Sequence, residues 1–147
     1  MKVVRDGLTF ALKHAETHEW IDAQARSGPA AWAYWAGALE SGEAKRDHHT
    51  YNVQLWLECR EMAVAFLQEA RERLPGRCDP LFDQAVESYV AVCDRLRELL
   101  ELHPPREKPD WGPGSTFASP EAAAVVRHAA AADAKGLASL QQIVSAL

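Results

Sequence analysis

The sequence has few cysteines, no long apolar run and no excess of basic charge, and each absence excludes a class of protein. Three cysteines are too few, and odd in number, for a disulfide framework, so we expect a reducing, cytoplasmic location. No run reaches the roughly 18 apolar residues of a membrane span, so we expect no membrane partner. With 16 basic against 21 acidic residues, the net charge of −5 argues against a nucleic-acid partner, whose phosphates attract basic proteins.

The first residues also lack the features of a secretory signal. Lys2 and Arg5 precede Asp6 and a very short apolar run, Leu8 to Leu12, and no small-residue cleavage site follows. We therefore expect no signal peptide. The 147 residues match the size of one ordinary domain, and an apolar fraction of 48% is typical of a globular protein.

Apolar residues recur at helical spacing along most of the chain, and no strand-like alternation competes with them. Capping residues, prolines and glycines divide the pattern into five predicted helices. Their approximate spans are 5–25, 28–41, 48–74, 79–103 and 120–147. Short connections favour antiparallel neighbours. We therefore predict an all-α fold in one domain over residues 1–147, an antiparallel bundle of four main helices with the short second helix packed across or beside it.

Residues 104–118 are the one extended irregular stretch, with four prolines and two glycines. A connection of this length is uncommon inside a compact domain. Trp111 and Phe117 lie within it, and we expect these rings to fold the stretch back onto the bundle.

Two helices carry expectations about which residues are buried. Asp47 is a suitable N-cap for the third helix. Asp133 interrupts the apolar stripe of the fifth helix, either solvated on a tilted stripe, which we favour, or pointing into a polar hole. Gly136 is expected to weaken that helix by roughly 1 kcal/mol relative to alanine.

The predicted core face of the third helix is Trp56, Cys59, Ala63, Phe66 and Ala70, with Tyr51, Leu55 and Met62 alongside.

The motifs of common enzymes are absent. The sequence has no glycine-rich phosphate loop, no G-x-S-x-G elbow, no H-E-x-x-H or Glu-x-x-His pair and no C-x-x-C spacing. We predict no cofactor. His14 and His18 are four residues apart and could share a metal ion, but the sequence nominates no third ligand, so we favour two surface or half-buried histidines.

Three polar residues near the start of the third helix are open to two interpretations each. His48 and His49 follow Asp47, where the free N–H groups of a first helical turn can receive an anion, although a solvated pair is favoured. Glu58 lies one residue from the predicted core stripe, so we expect it to be partly buried. It is either a structural partner of an arginine, which we favour, or an acid that faces a ligand.

An aromatic cluster is the most informative feature. Five of the 12 aromatic residues fall within 25 positions: Trp32, Tyr34, Trp35, Tyr51 and Trp56. Apolar rings with a polar tip suit a ligand pocket, and the open alternative is that they form core or interface. The predicted ligand-binding residues are Trp32, Trp35, His48, His49, Tyr51, Asn52, Trp56 and Glu58.

The same region carries a resemblance to a known family. The residues that form the pattern are Gly28, Trp32 to Trp35, Leu39, Tyr51, Asn52, Trp56, Glu58 to Arg60, Ala63, Phe66 and Leu67, continued by Leu81, Phe82, Tyr89 and residues 143–147. Their order resembles the bacterial helical domain found after papain-like, butirosin-H-type cysteine-protease-fold domains. The resemblance implies a helical fold. It implies no acyl-transfer or protease activity, because 147 residues leave no room for the papain-like domain.

These observations lead to three functional expectations. The first is a non-catalytic helical module that binds a small, partly apolar ligand in a sensor or accessory role. The second is a protein-interaction module, specifically a homodimer that pairs exposed aromatics and apolar helix faces. The third is an enzyme that uses His48, His49 and Glu58 as acid and base groups.

Overall fold

The computed structural model describes residues 1–17, 25–74, 76–112 and 116–147, and this part of the chain contains five helices and two very short strands. The predicted all-α class is confirmed. The elements are α1 (Lys2–Glu16), α2 (Gly28–Ser41), β1 (Ala44–Lys45), α3 (Arg46–Arg73), α4 (Asp79–Leu102), β2 (Thr116–Phe117) and α5 (Pro120–Ala146).

Most helix ends follow the local signals of the sequence. Gly42 ends α2 with a left-handed φ of 78°. Asp79 and Pro80 open α4, and the Ser119 hydroxyl caps α5 by accepting a hydrogen bond from the Ala122 N–H at 3.2 Å. Because these signals act within a few residues, they are visible without knowledge of the fold.

Two predicted helix ends are wrong, and other predicted positions lie outside the described residues. The first helix ends at Glu16 rather than near residue 25, because Thr17 has an extended backbone with ψ of 148°. The third begins at Arg46, so Asp47 lies inside its first turn rather than at the N-cap. The Asp47 carboxylate instead accepts a hydrogen bond from the Asp110 N–H at 2.6 Å. Residues 18–24, predicted to lie in the first helix, and Pro75, predicted to end the third helix, are not among the described residues.

The helices pack around one apolar core, in which α4 lies between α3 and α5, and α5 also contacts α1 and α2. Each helix contributes fully buried side chains. The largest are Leu8, Trp32, Leu39, Val53, Leu67, Phe82, Leu96, Leu99, Val126 and Ile143. The close helix packing fits a bundle, and α5 forms its central contact surface.

Two short strands tie the irregular connection to the start of α3. β1 pairs antiparallel with β2, with Ala44 opposite Phe117 and Lys45 opposite Thr116. The Ser119 N–H also donates to the Leu39 carbonyl at 2.9 Å. Strands of two residues carry no alternation, so no sequence pattern predicts them. Phe117 is half-buried, as expected, although residues 113–115 are not described.

The predicted core face of α3 is wrong at Cys59 and Phe66, whereas Ala70 is buried and Trp56 and Ala63 are half-buried. Cys59 is exposed, and so are Phe66 and the three flanking residues Tyr51, Leu55 and Met62. The inward face instead follows positions 53, 57, 60, 64 and 67, where Arg60 pairs with a buried carboxylate. Both faces of α3 carry apolar side chains at helical spacing. Side-chain size alone therefore led the prediction to include part of the outer face.

Gly136 makes room for a ring where α5 meets α4. A Cβ atom added at Gly136 would lie 2.9 Å from Tyr89 Cζ, closer than carbon atoms approach. Tyr89 is buried against this bare stretch of backbone. Gly136 therefore lowers the intrinsic stability of α5 but allows the Tyr89 ring to pack closely against its backbone.

Gly136→Ala should lower the free energy of unfolding by about 1–3 kcal/mol through overpacking, although alanine ordinarily stabilises a helix relative to glycine. Gly37→Ala on α2 is the matched control, because no atom outside the neighbouring backbone of its own helix lies within 4 Å of the added Cβ. It should raise the free energy of unfolding by up to about 1 kcal/mol. Urea unfolding measures both changes, and stabilisation by both substitutions would contradict the packing of Tyr89 against Gly136.

Candidate functional site

A cleft of about 480 Å³, partly open to solvent, lies where one face of α2 meets the first turns of α3, and we call it the aromatic cleft. From α2, positions 31, 34, 35 and 38 share a helix face. From α3, positions 48, 49, 52 and 56 also share one helix face. The rings of Tyr34, Trp35 and Trp56 thus face the same space as two imidazoles and an amide.

One hydrogen bond fixes the wall of the aromatic cleft. Trp35 Nε1 donates to His49 Nδ1 at 2.9 Å, and the two rings meet edge to face with centroids 5.4 Å apart. Because Nδ1 accepts, the neutral imidazole carries its proton on Nε2. His49 is only 2% exposed. Burial is the main cause that lowers the pKa of His49 from 6.5 to about 4, and the positive charges of His103 and Arg46 add to it.

Three tryptophans pack against one another beside and behind the aromatic cleft. Trp32 meets Trp56 edge to face at 4.3 Å between centroids, and it stacks on Trp35 at 5.8 Å. Trp32 is 2% exposed, whereas Trp35 and Trp56 are half-buried. Trp32 is therefore part of the core, and the other two rings expose an edge to the aromatic cleft.

Below the tryptophans, a buried carboxylate joins three helices. Asp133 Oδ2 accepts from Trp32 Nε1 at 2.9 Å, and Asp133 Oδ1 accepts from Arg60 Nε, also at 2.9 Å. The Arg60 guanidinium lies over the rings of Trp56 and Tyr89, 5.5 Å from each centroid. Burial, with the Asp133 charge adding to it, raises the pKa of Tyr89. The favoured expectation of a solvated Asp133 is wrong, because its side chain is fully paired inside a polar hole.

The structure brings five of the eight predicted ligand-binding residues into the lining of the aromatic cleft. They are Trp35, His48, His49, Asn52 and Trp56. The remaining three lie elsewhere. Trp32 is behind the cleft, and Tyr51 is exposed with its ring 6.1 Å from that of Trp111. Glu58 is exposed on α3, so the expectation of its partial burial is wrong.

Sequence reasoning missed most of the other lining residues of the aromatic cleft. Tyr34 was placed in the aromatic cluster but not in the predicted ligand-binding set. The two alanines at 31 and 38 share the helix face of Trp35, so helical spacing could have found them. The residues around β1 depend on a strand pairing that leaves no trace in the sequence. The missed set is Ala25, Arg26, Ala31, Ala38, Glu43, Ala44 and Lys45.

A second cleft, of about 540 Å³, lies between the end of α1, the start of α2 and α5. Its walls are mainly aliphatic, with Leu12, Pro29 and Leu137, and its described lining includes no aromatic ring. Polar groups that could orient a ligand are few there, namely Glu16, Ser27 and Gln141. The aromatic cleft is the better candidate, because it combines rings with several polar groups on two helices.

A metal site has no support within the described ranges, where no three histidine, cysteine, aspartate or glutamate side chains come together to hold an ion. His18 lies outside the described residues, so the predicted pair with His14 is only half described. His14 itself is exposed on α1, with its ring 6.3 Å from that of Phe10.

The pKa of His49 should make stability depend on pH. Between pH 6.5 and pH 4 the unfolded chain protonates His49 while the folded chain does not. The free energy of unfolding should therefore fall by about 3 kcal/mol through this residue as the pH falls across that range. Urea unfolding at several pH values, for the wild type and His49→Gln, isolates the contribution.

His48→Gln, which alters the exposed neighbour, is the matched control and should keep the wild-type dependence on pH. If the wild-type and His49→Gln curves ran parallel from pH 6.5 to pH 4, the neutral buried imidazole would be disproved. His103 contributes in the same direction, since burial and Arg46 lower its pKa while Glu121 opposes them, but its titration is retained in both proteins.

Comparisons with family models, with curated proteins and with solved structures find no match to this chain. The resemblance to the helical domain of butirosin-H-type proteins therefore stays a prediction. Within the described residues, no helix combines the length and the apolar character that crossing a membrane requires. The case for function rests on the geometry of the aromatic cleft and of the surface of α3.

Proposed function

We propose that the chain is a non-catalytic helical module that binds a small, partly apolar ligand in the aromatic cleft, in a sensor or accessory role. The observation that carries the proposal is the Trp35 ring, held by its hydrogen bond to His49 and exposing an edge to a cleft of about 480 Å³. Small-molecule sites have this character, with apolar walls, a few oriented polar groups and a volume of roughly 300–1,000 Å³.

The polar groups of the aromatic cleft indicate how a ligand would be oriented. Asn52 and His48 lie one helical turn apart on α3, and both line the cleft with Trp56. The rim carries two basic residues, Arg26 and Lys45, beside a single acid. A ligand with a flat apolar body and one polar or acidic end fits this arrangement.

A bulky residue in the aromatic cleft should block binding without removing any ring. Ala38 is half-buried in the lining, so Ala38→Phe fills the cleft from the α2 side. Ala33→Phe is the matched control, because Ala33 is exposed on α2 outside the lining. The probes are a panel of small aromatic carboxylates and aromatic amines, titrated while tryptophan emission is recorded, with calorimetry on any hit.

At least one probe should saturate the wild type, bind at least tenfold more weakly to Ala38→Phe, and keep its affinity for Ala33→Phe. A panel without a saturable binder, or equal affinity for both variants, would count against the ligand-binding role.

A second candidate function, homodimerisation, is favoured by the exposed stripe of α3. Tyr51, Leu55, Met62 and Phe66 are all exposed, and with Cys59 they form an apolar line along one side of the helix. The line is about 22 Å long at 1.5 Å of rise per residue. Exposed apolar surface of this kind marks interaction sites.

The spacing of the stripe makes it complementary to itself. If two copies of α3 pair antiparallel about a two-fold axis between positions 58 and 59, Tyr51 faces Phe66 of the partner subunit. Leu55 then faces Met62 of the partner subunit. Each contact occurs twice, as a two-fold interface requires.

Leu55→Lys with Met62→Lys should abolish the dimer, because the pairing places like charges opposite each other. Gln54→Lys with Gln68→Lys adds the same charge at exposed positions outside the stripe and should leave the dimer intact. Light scattering across a wide concentration range measures the mass. A wild-type mass that stays monomeric at every concentration would remove this function.

The enzyme interpretation stays a prediction with little geometric support. Glu58 is exposed and lies about 13 Å along the α3 axis from His49. Acid and base groups must reach the same substrate atom or its neighbours. This spacing does not place Glu58 beside the two histidines.

A further inference from the structure

Three buried nitrogen atoms have no hydrogen-bond partner within the described part of the chain, and they belong to residues that lie together. They are Arg46 Nε, His49 Nε2 and His103 Nδ1, which we call the inner donor cluster. A fourth buried atom without such a partner, Asp79 Oδ1, lies at the far end of α4 and is separate. Buried polar atoms are nearly always paired, so three in one place require an explanation.

The inner donor cluster forms where α3 begins, α4 ends and β2 passes. The rings of His49 and His103 meet edge to face with centroids 5.4 Å apart, and Phe117 packs against them at 5.7 Å and 5.0 Å. Arg46 lies three residues before His49 on the same helix face, and its charge lowers the pKa of both histidines. Because the rings pack this closely, only a compact group could contact all three nitrogens.

The hydrogen-bonding roles of neighbouring groups are compatible with all three nitrogens being donors. His49 Nδ1 accepts from Trp35, so Nε2 carries the proton. Ser119 Oγ accepts from the Ala122 N–H and lies 3.1 Å from His103 Nε2. In the tautomer in which the Ser119 hydroxyl donates to His103 Nε2, the proton of His103 lies on Nδ1. The Arg46 guanidinium always carries its proton on Nε.

The nearby carboxylates of Asp47 and Glu121 do not accept hydrogen bonds from the inner donor cluster. The Asp47 carboxylate accepts from the Asp110 N–H and lies 3.6 Å from an Arg106 nitrogen. Glu121 is exposed and acts on His103 only through its charge. The three nitrogens therefore have no acceptor among the described residues. The charge of Arg46 and the N-terminal end of α3 add positive potential at the same place.

We propose that Arg46, His49 and His103 bind a compact anion, of the size of a halide ion or a single carboxylate group. The site lies behind His49, on the opposite edge of the imidazole from Trp35, and it can bind a free anion whether or not the aromatic cleft binds a ligand. The anion comes either from solution or as the carboxylate of a molecule that also occupies the aromatic cleft. Both sources present the same chemistry to the same three N–H groups.

The proposal is tested by titrating the full chain with sodium formate and with sodium bromide, at an ionic strength held constant with sodium sulfate. The imidazole and guanidinium N–H resonances of a ¹⁵N-labelled sample report the site directly. We expect saturable shifts of His49 Hε2, His103 Hδ1 and Arg46 Hε, together with a rise in melting temperature.

Arg46→Gln removes the charge and the Nε donor, and it should weaken binding at least tenfold. Arg71→Gln removes an exposed arginine at the other end of α3 and should bind as the wild type does. If Arg46→Gln does not fold, the saturable shifts of the wild-type N–H resonances still decide the question. Shifts that grow linearly with salt, or nitrogens that respond to no anion, would overturn the proposal.

The Ala38→Phe variant separates the two sources of the anion. Formate binding should be unchanged in this variant, which keeps the site distinct from the aromatic cleft. Small aromatic carboxylates that shift the three N–H resonances in the wild type but not in Ala38→Phe indicate a carboxylate delivered through the cleft, and aromatic carboxylates that shift them in neither protein indicate a free anion. Formate that binds the wild type but not Ala38→Phe would overturn the independence of the two sites.

Discussion

The hydrogen bond from Trp35 to His49 is the contact on which the arrangement of the site depends. It joins the middle of α2 to the first turn of α3, two helices that meet mainly through side chains. It orients the ring that forms the cleft wall, and it assigns the proton of His49 to the atom that faces the interior. A single donor–acceptor pair thus shapes both the aromatic cleft and the inner donor cluster.

The tryptophan layer lies on the polar contact between Asp133, Trp32 and Arg60. A carboxylate buried this deeply is tolerated only when its oxygens are paired, and here α2 and α3 each supply a donor. Arg60 is held in turn between the rings of Trp56 and Tyr89. The position of Trp56 is therefore set from below, while Trp35 is set from the side by His49.

The sequence predicted the elements well and their mutual contacts poorly. Caps such as Ser119 and Gly42 act through neighbouring atoms, so local spacing was sufficient. The predicted core face of α3 included two residues of the outer surface, because an exposed apolar stripe competes with the true inner face. The burial of Asp133 was missed because its donors, Trp32 and Arg60, lie 101 and 73 residues away along the chain. Five lining residues of the aromatic cleft were predicted from helical spacing, one on α2 and four on α3. The lining residues around β1 were not predicted, because a strand pairing of only two residues places them.

The tautomer of His49 is the decisive observable for the geometry of the site. A long-range ¹H–¹⁵N spectrum at pH 7 distinguishes a protonated from an unprotonated ring nitrogen, and coupling across a hydrogen bond identifies its donor. We expect a neutral imidazole with the proton on Nε2 and with Nδ1 coupled to the Trp35 indole N–H. A proton on Nδ1, or a charged imidazole at this pH, would contradict it.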